Sequence, residues 1–238
     1  MVDTLQDPAL QAELDAVYRL YAALARNSDP ETGLGGKLLY AGELDLDGFR
    51  LVRAANIAGA ASLSVTTDPD RQKRAVREGV VDFLVTSLDE ALRILKNEIR
   101  KRRGVAVGVA LAPESVEREM FERGVLPDLL FPGAAFDEWA QRGAETVEIA
   151  QVPPGKTLVA VALPSSLRRL TPEFESLLLD GLAEDDFAAR RWFRISPRYL
   201  GPQARPYRSL PCDADMASAL QERISRAIED WTSSRERS

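Results

Sequence analysis

From residue 37 to residue 131 the chain alternates short apolar runs with longer segments of helical spacing, and this alternation constrains the fold more than any other feature. KLLYAG, SLSVTT, VVDFLVT, GVAVGVAL and PDLLF are apolar runs too short for core helices, and they suit strands buried on both faces. Between them lie DGFRLVRAANIAGAA, DPDRQKRAVREG, LDEALRILKNEIRKRR and PESVEREMFERG. Each of these carries helix signals. Asp68-Pro69 opens one, Ser87 and Glu90 have capping-box spacing in the next, and Leu88, Ala91, Leu92, Leu95 and Ile99 form a stripe behind them. Strands joined one after another by single helices require right-handed crossovers and a parallel sheet covered on both faces. The predicted fold class is therefore α/β, a doubly wound, mainly parallel, Rossmann-like sheet with an N-terminal helix and a C-terminal extension.

The flanks are less regular. Asp7 and Pro8 start a helix whose stripe is Leu10, Leu14, Val17, Leu20, Tyr21 and Leu24, and RNSDPETGLGG ends it. After residue 131, ETVEIAQ and KTLVAVALP read as two more strands around the turn VPPG. Thr171-Pro172-Glu173 opens another helix. Residues 188–212 are rich in Pro and Arg and are expected to be irregular, and a closing helix over 213–233 carries Met216, Leu220, Ile224, Ile228 and Trp231 on one face. The expected organisation is a helical arm over 1–32, a Rossmann-like domain over 33–165, and an extension over 166–238 packed on that core.

Composition removes several chemistries. The 238 residues include no histidine and one cysteine, Cys212. Ser-His-Asp and Cys-His nucleophiles, His-based zinc sites and intramolecular disulfides are excluded, and Cys212 is expected to be an inert thiol. A formal net charge of −6 disfavours general nucleic-acid binding. The N-terminal stretch lacks a cationic start followed by an apolar run, and no stretch approaches 18 apolar residues. Membrane association is not expected, and the expected compartment is the cytoplasm.

In open parallel sheets ligands sit beyond the carboxyl ends of the strands. That edge is formed by residues 42–47, 66–68, 86–87, 112–113 and 132–137. Thr66, Thr67 and Ser87 offer hydroxyls and helix N-terminal N–H groups there, although Asp68 and Ser87 also read as ordinary caps. Glu43, Asp45 and Asp47 alternate along one turn, but three acids fall short of a calcium loop, so no metal is expected. Residues 188–212 hold Arg190, Arg191, Arg194, Arg198, Arg205 and Arg208 among aromatics and no acid. Such a set suits self-packing, a homodimer contact, or an anion.

The stretch GGKLLYAGELDLDGFRLVRAANIAGAASLSV, followed by SLDEAL and PESVEREMFERGVLPDLL, resembles the Rossmann-like NAD-binding domain of urocanase (urocanate hydratase). The resemblance implies the fold above, and it implies NAD used as an electrophile toward urocanate. In the family the first strand leads into a glycine-rich loop, GLGGMGGAQ. Here Glu43, Leu44, Asp45, Leu46, Asp47, Gly48 and Phe49 stand in its place, with Gly42 and Gly48 the remaining glycines for cofactor contact. The family's polar loop DQTSAHDP corresponds to FPGAAFDEW, in which Asp137 alone survives as a catalytic candidate. Side chains on the turn block a close approach by pyrophosphate, and three carboxylates repel it. The expectation is a urocanase-like protein without urocanate hydratase activity, acting as a binding or assembly module for a small anionic ligand or a partner; NAD is the cofactor the resemblance implies, although the phosphate-loop glycines are missing. A NAD-dependent hydratase completed by a partner chain is the alternative. A nucleic-acid-binding or regulatory module working through residues 188–212 is the third.

Overall fold

A computed structural model describes residues 3–26, 28–131, 137–149, 156–163 and 165–236. In chain order the strands are β1 (Asp3–Thr4), β2 (Leu38–Glu43), β3 (Ala61–Val65), β4 (Phe83–Val85), β5 (Val105–Val109), β6 (Leu129–Leu130), β7 (Glu145–Thr146), β8 (Thr157–Ala162) and β9 (Tyr207–Cys212). The helices are α1 (Pro8–Ala25), α2 (Leu46–Ala58), α3 (Pro69–Arg77), α4 (Leu88–Arg100), α5 (Pro113–Glu122), α6 (Asp137–Gln141), α7 (Thr171–Leu179), α8 (Phe187–Tyr199) and α9 (Ala214–Glu236). The chain divides into two compact units, 16–150 and 1–15 with 151–238.

In the unit 16–150 six strands form one sheet in the order β4-β5-β3-β2-β6-β7, and every pair is parallel. The sheet is the predicted doubly wound, Rossmann-like one. Tyr40, Leu63, Val65, Val107 and Val109 from one face of the sheet share a core with Leu88, Leu92 and Leu95 of α4 and with Val116 and Met120 of α5. On the opposite face α2 buries a run of small residues, Ala54, Ala55 and Ala58 all being fully covered. Small side chains let the helix axis come close to the strands, and Asn56 fixes its far end by donating to the Val80 carbonyl at 2.9 Å. The caps fall where local sequence puts them. Asp7 accepts from Ala9 N, Asp68 from Asp70 N and Arg71 N, and Ser87 from Glu90 N. Of ETVEIAQ, Glu145–Thr146 join the sheet, while 150–151 lie outside the described residues.

The central strand is β2. The chain leaves it through α2 toward β3 on one side, and it returns through α5 to β6 on the other. The two crossovers run to opposite faces of the sheet, so α2 and α5 diverge beside the carboxyl end of β2. That point is the topological switch of the sheet, and it positions the site described below.

In the second unit β8 pairs antiparallel with β9 over Thr157↔Cys212 to Ala162↔Tyr207, and β1 joins at Asp3↔Ala162. Thr157–Ala162 of KTLVAVALP thus belong to a separate three-stranded sheet. Residues 188–212 are likewise not irregular. Asp186 caps α8 by accepting from Ala189 N, and Ala189, Trp192, Phe193 and Ser196 recur at helical spacing as its buried face. Pro197 sits in the last turn of α8, where it removes one backbone donor, and β9 follows with Ser209, Leu210 and Cys212 buried. Packing of that stripe against Val161, Phe174, Leu178, Leu210 and Ile224 outweighs the unfavourable local composition.

Candidate functional site

β2 ends in an unusual turn. Its register with β3 shifts between Tyr40 and Gly42, and Gly42 takes φ 68°, a left-handed value that a side chain would disfavour. The chain then enters α2 with Asp45 at the N-cap. The Asp45 carboxylate accepts from Gly48 N at 2.9 Å, so one of the free amides of the first turn is already satisfied from within the chain. A β-carbon on Gly48 would lie 1.9 Å from the Glu43 carbonyl oxygen. Gly48 is therefore a glycine that lets the helix press against the strand before it, not one that admits a ligand.

The other two acids of the turn have cationic partners. Arg71 donates to Glu43 at 2.6 Å, and Arg50 donates to Asp47 at 3.1 Å. Both pairs are solvent-exposed on at least one side and add little to stability. Among the described residues, no group of three or more His, Cys, Asp or Glu side chains is placed to hold a metal ion.

Beside this turn lies a cleft of about 820 Å³, within the range of roughly 300–1,000 Å³ usual for small-molecule sites. Its walls are the end of β2, the first turns of α2 and α5, and the second half of α1. Leu20, Leu51, Phe131 and Ile149 supply apolar surface. Glu43, Asp45, Asp47, Glu114 and Glu117 supply carboxylates, and Arg19 and Arg50 supply guanidinium groups. Tyr40 also lines it, although its side chain is almost wholly buried. The Tyr40 hydroxyl donates to Glu117 Oε1 at 3.0 Å, and its ring meets Trp139 edge-on with centroids 5.1 Å apart. Burial, reinforced by Glu117 and Glu114, pushes the Tyr40 hydroxyl pKa far above its ordinary value, so it is a donor and not a base.

The residues singled out from sequence distribute as follows. Gly42 and Gly48 line the cleft. Thr66 is buried, and its hydroxyl accepts from Asp68 N at 3.2 Å. Thr67 is exposed, and Ser87 is spent on capping α4. None of these three lines the cleft. Asp137 is exposed in the first turn of α6, while 132–136, the rest of that loop, lie outside the described residues. Asp137 stands as a helix-end acid.

Of the arginines, Arg190 donates to the Leu179 and Leu182 carbonyls, Arg208 pairs with Glu175 at 2.6 Å, and Arg198 lies 5.2 Å from the Tyr199 ring centre. Arg191 is half-buried, and Arg194 and Arg205 are exposed. Cys212 is fully buried, and burial, reinforced by Asp213, pushes its thiol up to about 11. It is no nucleophile near neutrality.

Sequence reasoning missed Tyr40, Glu114 and Glu117. Tyr40 read as one more apolar strand residue. The glutamates follow Pro113, on a segment already assigned to the carboxyl edge, and their i, i+3 spacing on α5 was the available signal.

The model of the urocanase Rossmann-like domain matches residues 15–135, which covers α1 from Asp15 onward, the parallel sheet through β6 and every crossover helix between.

Proposed function

Since the chain belongs to the urocanase family through this Rossmann-like domain, we propose that it is a member without urocanate hydratase activity that holds no NAD at the β2–α2 turn. It acts instead as a binding module through the cleft beside β2. The single observation that carries this reading is the Asp45 carboxylate seated on Gly48 N, where a dinucleotide-binding turn presents a bare amide to the pyrophosphate.

The residues present do not fit NAD. The one glycine of the first helical turn is consumed by contact with the Glu43 carbonyl, and Leu46 and Asp47 fill the rest of the turn. A phosphate about 4 Å from a carboxylate is repelled by about 1 kcal/mol in a watery setting and about 4 kcal/mol near a protein surface. Arg71 and Arg50 compensate two of the three acids on the turn, and Asp45 remains. One such charge lowers affinity by a factor of about five to about seven hundred. The catalytic candidate Asp137 stands exposed and brings no second acid or base to the cleft.

The test is calorimetric titration of the full chain with NAD, alongside an absorbance assay of urocanate with NAD present. The expected result is no saturable NAD binding below about 1 mM and no loss of urocanate. Tight NAD binding, or turnover of urocanate, would refute the proposal.

A further inference from the structure

The lining of the cleft beside β2 assigns a ligand class, an assignment that rests on the cleft being the binding site. We propose that it takes a small organic cation, an ammonium or guanidinium group carried on an apolar body.

The volume of about 820 Å³ is that of a molecule, not of an ion. Leu20, Leu51, Phe131 and Ile149 give such a molecule an apolar wall. The charged wall is unbalanced. Glu43 and Asp47 are matched by Arg71 and Arg50, and Asp45 is committed to the α2 cap. Of the remaining charged lining groups, Glu114 and Glu117 are acidic and Arg19 is basic.

The N-termini of α2 and α5 each bring about half a positive charge. That of α2 is met by Asp45, and that of α5 by Glu114 in its first turn. An anion entering the cleft thus meets surplus negative charge, contrary to the anionic ligand expected from sequence.

Glu114 and Glu117 are neighbours on one face of α5 at i, i+3, a like-charge pair that an intervening cation relieves. Tyr40 holds one of them in place. Its buried hydroxyl donates to Glu117 Oε1, which leaves Oε2 to accept from a ligand N–H. A buried donor whose partner carboxylate lines a cleft, next to an apolar wall, is a site for an amine with a hydrocarbon or aromatic portion.

Three probes of nearly one shape separate charge from shape: phenethylamine as the cation, 2-phenylethanol as the neutral form, and 3-phenylpropionate as the anion. Each is titrated into the full chain at low ionic strength, with NAD titrated in parallel. Phenethylamine is expected to bind at least about tenfold more tightly than the other two, and to weaken by about tenfold in the double variant Glu114→Gln, Glu117→Gln.

Glu114 is exposed, and glutamine at 117 still accepts from Tyr40, so the variant keeps the fold. The inference is overturned if the alcohol or the acid binds as well as the amine. It is overturned equally if the amine does not bind below about 10 mM, or binds the double variant unchanged. NAD binding in the parallel titration defeats the proposed function, whereas silence from both NAD and the amine defeats the cation alone.

Discussion

Replacing Gly48 by alanine sets two effects of opposite sign against each other. Inside a helix the exchange ordinarily stabilises by up to about 1 kcal/mol, because alanine loses less backbone freedom on folding. In this fold the new β-carbon would lie 1.9 Å from the Glu43 carbonyl oxygen and 2.9 Å from its carbon, both backbone atoms of β2. No side chain can swing away to relieve that overlap, so the start of α2 must retreat from the sheet by more than 1 Å. Even a 0.5–1 Å gap forfeits roughly a quarter to a half of each contact along the retreating face. The cost therefore reaches the upper end of the roughly 1–3 kcal/mol usual for overpacking, and a net loss of about 2 kcal/mol remains after the propensity gain.

Hydrogen exchange of peptides spanning residues 38–58, read by mass spectrometry, reports on this region without assuming that the two units unfold together. Exchange there should quicken by about thirtyfold. Gly42→Ala is the control. Its backbone is left-handed, but nothing lies within 4 Å of the added carbon, so it should cost only about 1–2 kcal/mol of conformational strain. Exchange in Gly48→Ala equal to or slower than in the parent would refute the account, since it would mean that the turn is loose enough to admit a side chain.

Two further outcomes follow from buried charge. Arg53 is nearly covered and pairs with Glu78 at 2.6 Å, with Arg74 donating to the same carboxylate at 2.9 Å. Glu78→Ala removes a carboxylate partner from a buried guanidinium and should cost about 3–5 kcal/mol, seen as a lower melting temperature; an unchanged melt would show the pair to be dispensable. The Cys212 thiol, with a folded pKa of about 11, lies above its ordinary value of 9.0 because of its burial. A raised folded pKa means that this contribution to stability is complete below pH 9 and is lost as pH rises toward 11, because the unfolded thiol ionises first. Urea midpoints should fall over that interval by more than in Cys212→Ser, and native protein at pH 8 should react with a thiol reagent only as fast as it unfolds. Rapid labelling of folded protein would contradict the burial.

What this chain could announce without its fold was local. The alternation of apolar runs with helical segments between 37 and 131, and caps such as Asp7, Asp68 and Ser87, depend on neighbours a few residues apart, and they specified the parallel α/β sheet. The loss of the glycine loop was equally plain, because Glu43 to Phe49 can be read one residue at a time. Tertiary structure alone decided which strand β8 joins, because pairing with β9 brings together residues about fifty apart, and no local pattern encodes that partner. It also turned an Arg- and Pro-rich segment into α8 and β9 through burial of Trp192, Phe193 and Leu210. The cleft belongs to the same class. Tyr40, Asp45 and Glu117 come from two strand–helix units separated by more than seventy residues, and only the switch of direction at β2 sets them side by side. Periodicity is a property of the chain, whereas the charge of a cavity is a property of the surfaces that the topology brings to face each other.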